Sequence, residues 1–248
     1  MEVKAEKVNP YDDSRPKTEQ VREMFDSIAP AYDFMNRAMT FGIDRLWRRR
    51  AVRLLRDKPH DTILDVATGT GDLALLLAHR LEPKSITGID LSERMLDIAR
   101  RKAESATLAT AVEFLTADCL SLPFDADSFD CVTVAYGVRN FARLKDGYAE
   151  MLRVLRPGGT LCVFELSTPT SRIVRPLYRF YTRKIIPFVG RLVSKDVRAY
   201  SYLPESIAAV PQRGEMTALM EEAGFVAATF WPLTFGVCTI YLATKSEK

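Results

Sequence analysis

The chain is expected to fold as one α/β domain, a mostly parallel sheet with helices on both faces, and three observations predict it. Short apolar runs at about 62–67, 85–90, 112–117, 129–135 and 160–164 alternate with helix-period runs at 72–82, 93–105 and 141–155. That alternation is the pattern of βαβ units with a ligand site at the strands' carboxyl ends. The first apolar run passes through a glycine turn directly into a helix, Ile63-Leu-Asp-Val-Ala-Thr-Gly-Thr-Gly-Asp-Leu73. Finally, the last two strands, 225–230 and 237–244, are separated only by Pro232 to Gly236, a connection so short that they must pair antiparallel. The sum is a seven-stranded mixed sheet.

Taken in order, residues 1–20 are polar and expected to be flexible, and a single domain is expected over 21–248. Val21, Met24, Phe25 and Ile28 fall at i, i+3, i+4 and i+7, an amphipathic helix ended near Pro30. A second helix covers about Asp44 to Arg56, with Trp47, Ala51, Leu54 and Leu55 on one face and Arg45, Arg48, Arg49 and Arg53 elsewhere. Arg156-Pro157-Gly158-Gly159 reads as a turn before the fifth strand. An insertion of about 171–210 follows, and Glu215 to Gly224 forms a helix before the closing hairpin. Asp97, Asp125, Asp127 and Asp130 read as helix-surface and turn acids.

Composition excludes several classes. A length of 248 residues buries an adequate core in one domain. The first residues carry no apolar secretory segment, and no run reaches the length of a membrane-spanning helix. Cys119, Cys131, Cys162 and Cys238 are scattered without a C-x-x-C, and there are two histidines, so neither a zinc site nor a disulfide framework is indicated and no metal is expected. A reducing cytoplasm fits that usage. A net charge of +3 does not call for a nucleic-acid partner. Nothing fixes the oligomeric state, which leaves a homodimer open.

The glycine turn carries the chemistry. Gly69-x-Gly71-x-x-Ala74 fits the dinucleotide fingerprint, and Asp90 closes the next apolar run about 20 residues on, where a ribose-binding acid is expected. Glycine permits both the sharp turn and a close approach of backbone to ligand. Asp65 and Asp72 flank the turn, and two carboxylates beside a pyrophosphate would repel it. S-adenosylmethionine, with a ribose but an ammonium and a sulfonium in place of phosphates, suits those charges better than a nicotinamide dinucleotide. A plain tight connection is the bland alternative.

The chain resembles the class I methyltransferases that use S-adenosylmethionine, with a Rossmann-like sheet and an antiparallel last strand. More narrowly it is similar to the quinone-ring C-methyltransferases of menaquinone and ubiquinone biosynthesis. Three segments carry this: Tyr32-Asp-Phe-Met-Asn36 with Met39-Thr40, Asp44 and Trp47; Ala135-Tyr-Gly-Val-Arg-Asn140; and Arg153-Val-Leu-Arg-Pro-Gly-Gly-Thr-Leu161 running to Glu165-Leu-Ser167. It continues through Tyr200-Ser-Tyr-Leu-Pro-Glu-Ser206 and Leu233-Thr-Phe-Gly236, covering about residues 20–245. Thr40 and Asp44 stand where the family usually has Ser and His, and Arg156 where Lys is common. The resemblance implies a donor site lined by Thr70, Asp90, Asp118 and Cys119, to which the motif adds Asp65, Gly69 and Gly71. Asp118 would take the adenine amino group while Cys119 offers its backbone N–H; a turn acid before Leu120 is the plainer reading of Asp118.

Methylation of a ring carbon needs a carbon nucleophile, which a hydroquinone supplies as one hydroxyl loses its proton. Arg139 and Asn140, just past the fourth strand, are suitable donors to the forming phenolate. Arginine stays protonated, so water or a carboxylate such as Asp33 would take the proton. A salt bridge to an acid is the structural alternative for Arg139. The stretch 171–198 interleaves Arg172, Arg175, Arg179, Arg183 and Lys184 with Val174, Tyr178, Tyr181, Ile185, Ile186 and Phe188, and Pro187 is expected to interrupt its helix. Such a segment suits the inner face of an anionic membrane or a lid over a polyprenyl tail, and core packing with a solvated basic face serves as well. The expected acceptor is a polyprenyl quinol, demethylmenaquinol before the benzoquinol of ubiquinone synthesis. An RNA or small-phenol methyltransferase and a non-catalytic quinone-binding partner are the remoter readings.

Overall fold

A computed structural model describes residues 3–11, 13–188 and 197–247. Helices α1 (Lys17–Ile28), α2 (Tyr32–Thr40) and α3 (Asp44–Leu55) precede strand β1 (Thr62–Val66). Then come α4 (Asp72–Leu81), β2 (Ser85–Asp90), α5 (Glu93–Ser105), β3 (Ala111–Thr116), β4 (Phe129–Ala135), α6 (Leu144–Val154) and β5 (Leu155–Leu166). The insertion holds α7 (Val174–Phe180) and α8 (Val197–Ala209), and α9 (Gly214–Glu222) leads into β6 (Val226–Leu233) and β7 (Cys238–Thr244). The seven strands lie in the order β3-β2-β1-β4-β5-β7-β6. β1 to β5 pair in parallel, and β7 runs antiparallel between β5 and β6, with Phe164 opposite Ile240.

Alternation along each strand sends neighbouring side chains to opposite faces, and both faces are covered, so the central strands are apolar throughout. Leu64, Val66, Val132, Val134, Leu161 and Val163 face α6 and α9 through Tyr148, Met151, Met216 and Leu219. Ile63, Ile86, Cys131, Cys162 and Phe164 face α3, α4 and α5 through Trp47, Ala51, Leu73, Leu77 and Leu96. A third cluster of Met24, Ile28, Met35, Met95, Ile186, Tyr200 and Tyr202 joins α1, α2, α5 and the insertion. The segment ahead of α1 sends Val3 and Ala5 into the first cluster.

Two local expectations need correction, and one stretch without an assigned element forms a helix. Arg156–Gly159, which reads as a turn, is taken up inside β5: Phe129 pairs with Leu155 and Cys131 with Thr160, so the extra residues bulge out, with Gly158 at φ +76°. Pro187 does not break the insertion's helix, which continues through Phe188 after a π-turn at Tyr181–Ile185 in which the Ile186 N–H donates to the Tyr181 carbonyl. Widening the helix just before a proline relieves the clash of its ring with the carbonyl four residues back. The stretch 32–40, read only as a motif, is a helix, closed by Phe41 in the left-handed region at φ 52°. Residues 189–196 of the expected amphipathic stretch lie outside the described residues.

Candidate active site

Strand order reverses between β1 and β4, and there the carboxyl ends of β1, β2, β3 and β4 open into a cavity. Ala67, Gly69, Asp90, Asp118, Cys119, Tyr136, Gly137 and Asn140 line it from the sheet side. Thr18, Val21 and Phe25 of α1 and Tyr32 of α2 cover it. Two non-glycine residues on its wall, Ala67 and Tyr136, hold φ of 53° and 57°. Such conformations cost on the order of 1–3 kcal/mol and persist where the surroundings impose them.

Asp90 is the organising acid of this cavity. Its two oxygens accept the backbone N–H of Gly69 at 2.8 Å and of Ser92 at 2.9 Å, which fixes the carboxylate at the end of β2 and leaves lone pairs for a ligand's hydroxyls. Burial raises its pKa above the ordinary carboxylate range, against the lowering effect of those N–H donors. Asp118 accepts the Leu120 N–H at 2.9 Å, so the turn reading holds, and it lines the cavity as well. Cys119 lines the cavity too, and burial pushes its thiol well above the usual value, which makes it inert as a nucleophile. Gly69 and Gly71 both sit in the left-handed region, at φ 57° and 78°. A Cβ on Gly71 would lie 3.0 Å from Ala99 Cβ and 3.1 Å from Phe114 Cζ, so Gly71 serves the packing of the turn and does not line the cavity.

Asp65, Thr70 and Asp72 of the motif do not line the first cavity. Asp65 is buried beneath the turn, where its oxygens accept the Thr68 and Thr133 hydroxyls at 2.6 and 2.5 Å. Thr70 donates to Asp33 at 2.6 Å and accepts from Lys102 at 3.1 Å. Lys102 in turn bridges Asp33 at 2.5 Å and Asp72 at 2.6 Å, so α2 is tied to the turn and to α4 and α5 through one cation. Burial opposes ionisation of Asp72, yet Lys102 and Arg48 outweigh it and hold its pKa below the ordinary value. The charge argument against a pyrophosphate therefore rests on Asp90 and Asp118, because Asp72 is neutralised and Asp65 faces inward.

Burial pushes the Asp65 carboxyl up to about 6 despite its two hydroxyl donors. A raised native pKa stabilises the fold below the unfolded value and loses that contribution as pH rises through the native one, here between roughly 4 and 6. The loss is about 3 kcal/mol, from 1.36 kcal/mol per unit. Asp65→Asn is therefore expected to gain stability relative to the parent as pH climbs from 4 to 7, read as the difference in urea midpoints. A difference that stays constant over that range would contradict it.

A second, larger cavity adjoins the first, and Phe25, Tyr32 and Tyr136 line both. Its lining is mainly apolar and aromatic, including Met24, Met35, Met39, Trp47, Tyr178 and Ile186. Arg139 lines this cavity, whereas Asn140 lines the first. The 3₁₀ turn Val138–Asn140 divides the two side chains. Arg139 is buried and ion-paired with buried Glu165 of β5 at 2.8 Å, and it also donates to the Tyr136 carbonyl. Among the described residues, Arg139 Nε, Tyr202 Oη, Tyr136 Oη and Asn140 Oδ1 are buried without a hydrogen-bond partner. Buried polar atoms are satisfied as a rule, so a cluster of exceptions around two adjoining cavities points to ligands. Asp33, offered as a proton acceptor, lines neither cavity and is occupied by Lys102 and Thr70.

From the sequence, Glu165, Tyr202, Arg48 and the helix carrying Tyr202 were missed as site components, although Glu165 and Tyr202 fall inside the resembling segments. Their signal is a polar residue in an otherwise apolar strand or helix face. Tyr178 of α7, Tyr181 and Thr182 of the π-turn after it, and Ile186 just beyond line the second cavity, with the Tyr181 hydroxyl donating to the Met39 carbonyl at 2.9 Å. Ile173, Leu177, Phe180 and Phe188, by contrast, are exposed, with exposed arginines between them. The insertion thus has a cavity face and an outer apolar stripe in place of a single apolar face. No helix among the described residues is long and apolar enough to cross a membrane.

The first cavity fits S-adenosylmethionine: two carboxylates, a close-approach glycine backbone and apolar walls from Leu91, Met95 and Leu120. Comparisons agree with that geometry. A Thermotoga maritima structure described as a SAM-dependent methyltransferase, possible histamine N-methyltransferase, shares the fold at a TM-score of 0.63 with 20% identity, over 91% of this chain and 99% of that one. A Bacteroides fragilis protein named demethylmenaquinone methyltransferase is 45% identical over 99% of this chain and all of its own length. A Geotalea daltonii protein named ubiquinone/menaquinone biosynthesis C-methyltransferase UbiE is 44% identical over 92% of this chain and 97% of its own. A family model matches residues 13–245, nearly the whole described chain, and on fold, site and sequence together the chain belongs to the ubiE/COQ5 methyltransferase family.

Proposed function

We propose that the protein transfers a methyl group from S-adenosylmethionine to a ring carbon of a polyprenyl hydroquinone, demethylmenaquinol in the first instance. The observation that carries this is the pairing of a polar donor cavity with a large apolar one across a shared wall of Phe25, Tyr32 and Tyr136. A flat ring with a hydrocarbon tail suits the second cavity, and the cavity offers such a ring an arginine. When bound, S-adenosylmethionine supplies a methyl group on a positively charged sulfur. Asp90 and Asp118 hold the donor side, and the two cavities bring the partners within reach, a positioning effect that can supply roughly 7–11 kcal/mol. Arg139 stabilises negative charge on the ring oxygen next to the methylated carbon, and water in the cavity takes the proton. Relatives named for demethylmenaquinone favour the naphthoquinol ring, and the benzoquinol precursor of ubiquinone is the alternative supported by the others.

The rim of the second cavity supports contact with a membrane that carries such a substrate. Phe41, 80% exposed, stands 6.1 Å from the Tyr181 ring, and Phe235, 78% exposed, follows Thr234 on the lining. Exposed apolar residues here and on the outer stripe of α7, interleaved there with exposed arginines, have the composition that binds anionic bilayer surfaces. Methyl transfer from labelled S-adenosylmethionine, with reduced demethylmenaquinol and its benzoquinol counterpart offered side by side, tests the assignment. Label in the naphthoquinol product is expected. Label in both products widens the substrate range, and label in neither, despite donor binding, overturns the reading.

A further inference from the structure

The second cavity contains polar groups that the reaction described above leaves unused. Tyr136 lines it, is partly buried, and its Oη, itself buried, has no hydrogen-bond partner. Phe164 packs edge-on with its ring, centroids 5.0 Å apart, and the Arg48 guanidinium lies over the ring, 5.8 Å from its centroid. Arg48 is itself buried, ion-paired with Asp44 and 3.7 Å from Asp72, yet its Nε is also unpartnered. Asp44, a further lining residue of the cavity, accepts the Thr40 hydroxyl at 3.0 Å.

A phenylalanine at position 136 would fill the same space and keep the edge-on contact without burying a hydroxyl that nothing satisfies. The backbone there is also held at φ 57°, a strained conformation for an aromatic residue. Both features make sense if the Oη meets a ligand. A hydroquinone has two oxygens at opposite ends of its ring, and one arginine serves only one of them. We propose, on the quinol reading given above, that Tyr136 recognises the acceptor: its hydroxyl hydrogen-bonds the ring oxygen that Arg139 does not engage, and Arg48 is the positioning residue behind it. A cation on the ring face draws electron density from the phenol and makes its O–H a stronger donor. Specificity follows from the same arrangement, because a site built to pair a substrate hydroxyl rejects an analogue lacking it.

The test compares the reduced quinol with the analogue that lacks the hydroxyl remote from the methylated carbon, using the full chain and labelled donor. The parent is expected to prefer the quinol by ten-fold or more in kcat/KM. Tyr136→Phe is expected to raise KM for the quinol by about ten-fold, to lose most of that preference, and to keep donor affinity. Its Tm should stay level or rise, since a buried unpaired hydroxyl is removed, a direction opposite to that of a structural role. Arg48→Lys, which keeps the charge but not the planar contact, is expected to give a smaller rise in KM and provides the readout should Tyr136→Phe fold poorly. Quinol kinetics and discrimination that match the parent in both variants would overturn the proposal. A parent protein that methylates neither acceptor would instead overturn the quinol reading on which it rests.

Discussion

Arg139→Ala is expected to lower kcat by about 100- to 1000-fold while leaving donor affinity at the parental value. The magnitude is that of removing one preorganised donor from a developing oxyanion. The split follows from placement on the proposed reading, since Arg139 lines the second cavity and Asn140, next to it, lines the first. The same change must also weaken the fold. Glu165 is 2% exposed and ion-paired to Arg139 at 2.8 Å, and breaking a buried pair by removing one partner costs about 3–5 kcal/mol. Loss of turnover alone would therefore be ambiguous.

Adding Glu165→Gln to Arg139→Ala separates the two effects. Glutamine removes the stranded charge, and its carbonyl can still accept the Leu166 N–H that Glu165 accepts at 2.8 Å. The double variant is expected to recover much of the lost Tm and none of the lost kcat. Arg139→Lys keeps a charge against Glu165 but loses the Nε that is unpartnered in the free site, and an intermediate rate is expected. Parental turnover in the double variant would show that Arg139 holds β5 and the β4 turn together and does nothing to the ring.

What the sequence made legible is what local chemistry dictates. Strand and helix periods recur within a few residues, so the alternation and the closing hairpin could be read directly, and Gly69, Asp90, Asp118 and Cys119 line the first cavity together. Asp65 shows where such reading stops. Whether that carboxylate faces a ligand or the interior depends on hydroxyls that accompany it, and Thr133 comes from a strand 68 residues further on. Thr70 is likewise claimed by Asp33, 37 residues before it. The second cavity is assembled from α1, α2, α3, α7 and α8 and the ends of β4 and β5, and no single segment carries a pattern for it. The helix 32–40 escaped because Tyr-Asp-Phe-Met-Asn has no clear apolar period, yet it buries Met35 and positions both Tyr32 and Asp33.

Asp90→Ala should reduce affinity for S-adenosylmethionine, and for its demethylated product, by about 100-fold or more. Hydrogen bonds to a charged group are each worth about 1.5–3 kcal/mol, and this carboxylate is placed to accept two ribose hydroxyls. Alanine additionally frees the Gly69 N–H, bound at 2.8 Å, so the turn loses an anchor where its backbone must approach the ligand. The direction with pH follows from the environment of the group. Burial raises its pKa, so protonation begins at a higher pH than for an exposed aspartate, and the neutral acid is a weaker acceptor for the hydroxyls and no partner for a cation. Donor affinity is therefore expected to fall as pH is lowered through that raised value and to be fully present above it. Asp90→Asn, already neutral, should bind weakly with a flat profile over the same range. Calorimetric titration of the demethylated product between pH 4 and 8 gives both readings. An Asp90→Asn protein that binds as tightly as the parent near neutrality would remove Asp90 from the donor site and leave it a clamp on the glycine turn.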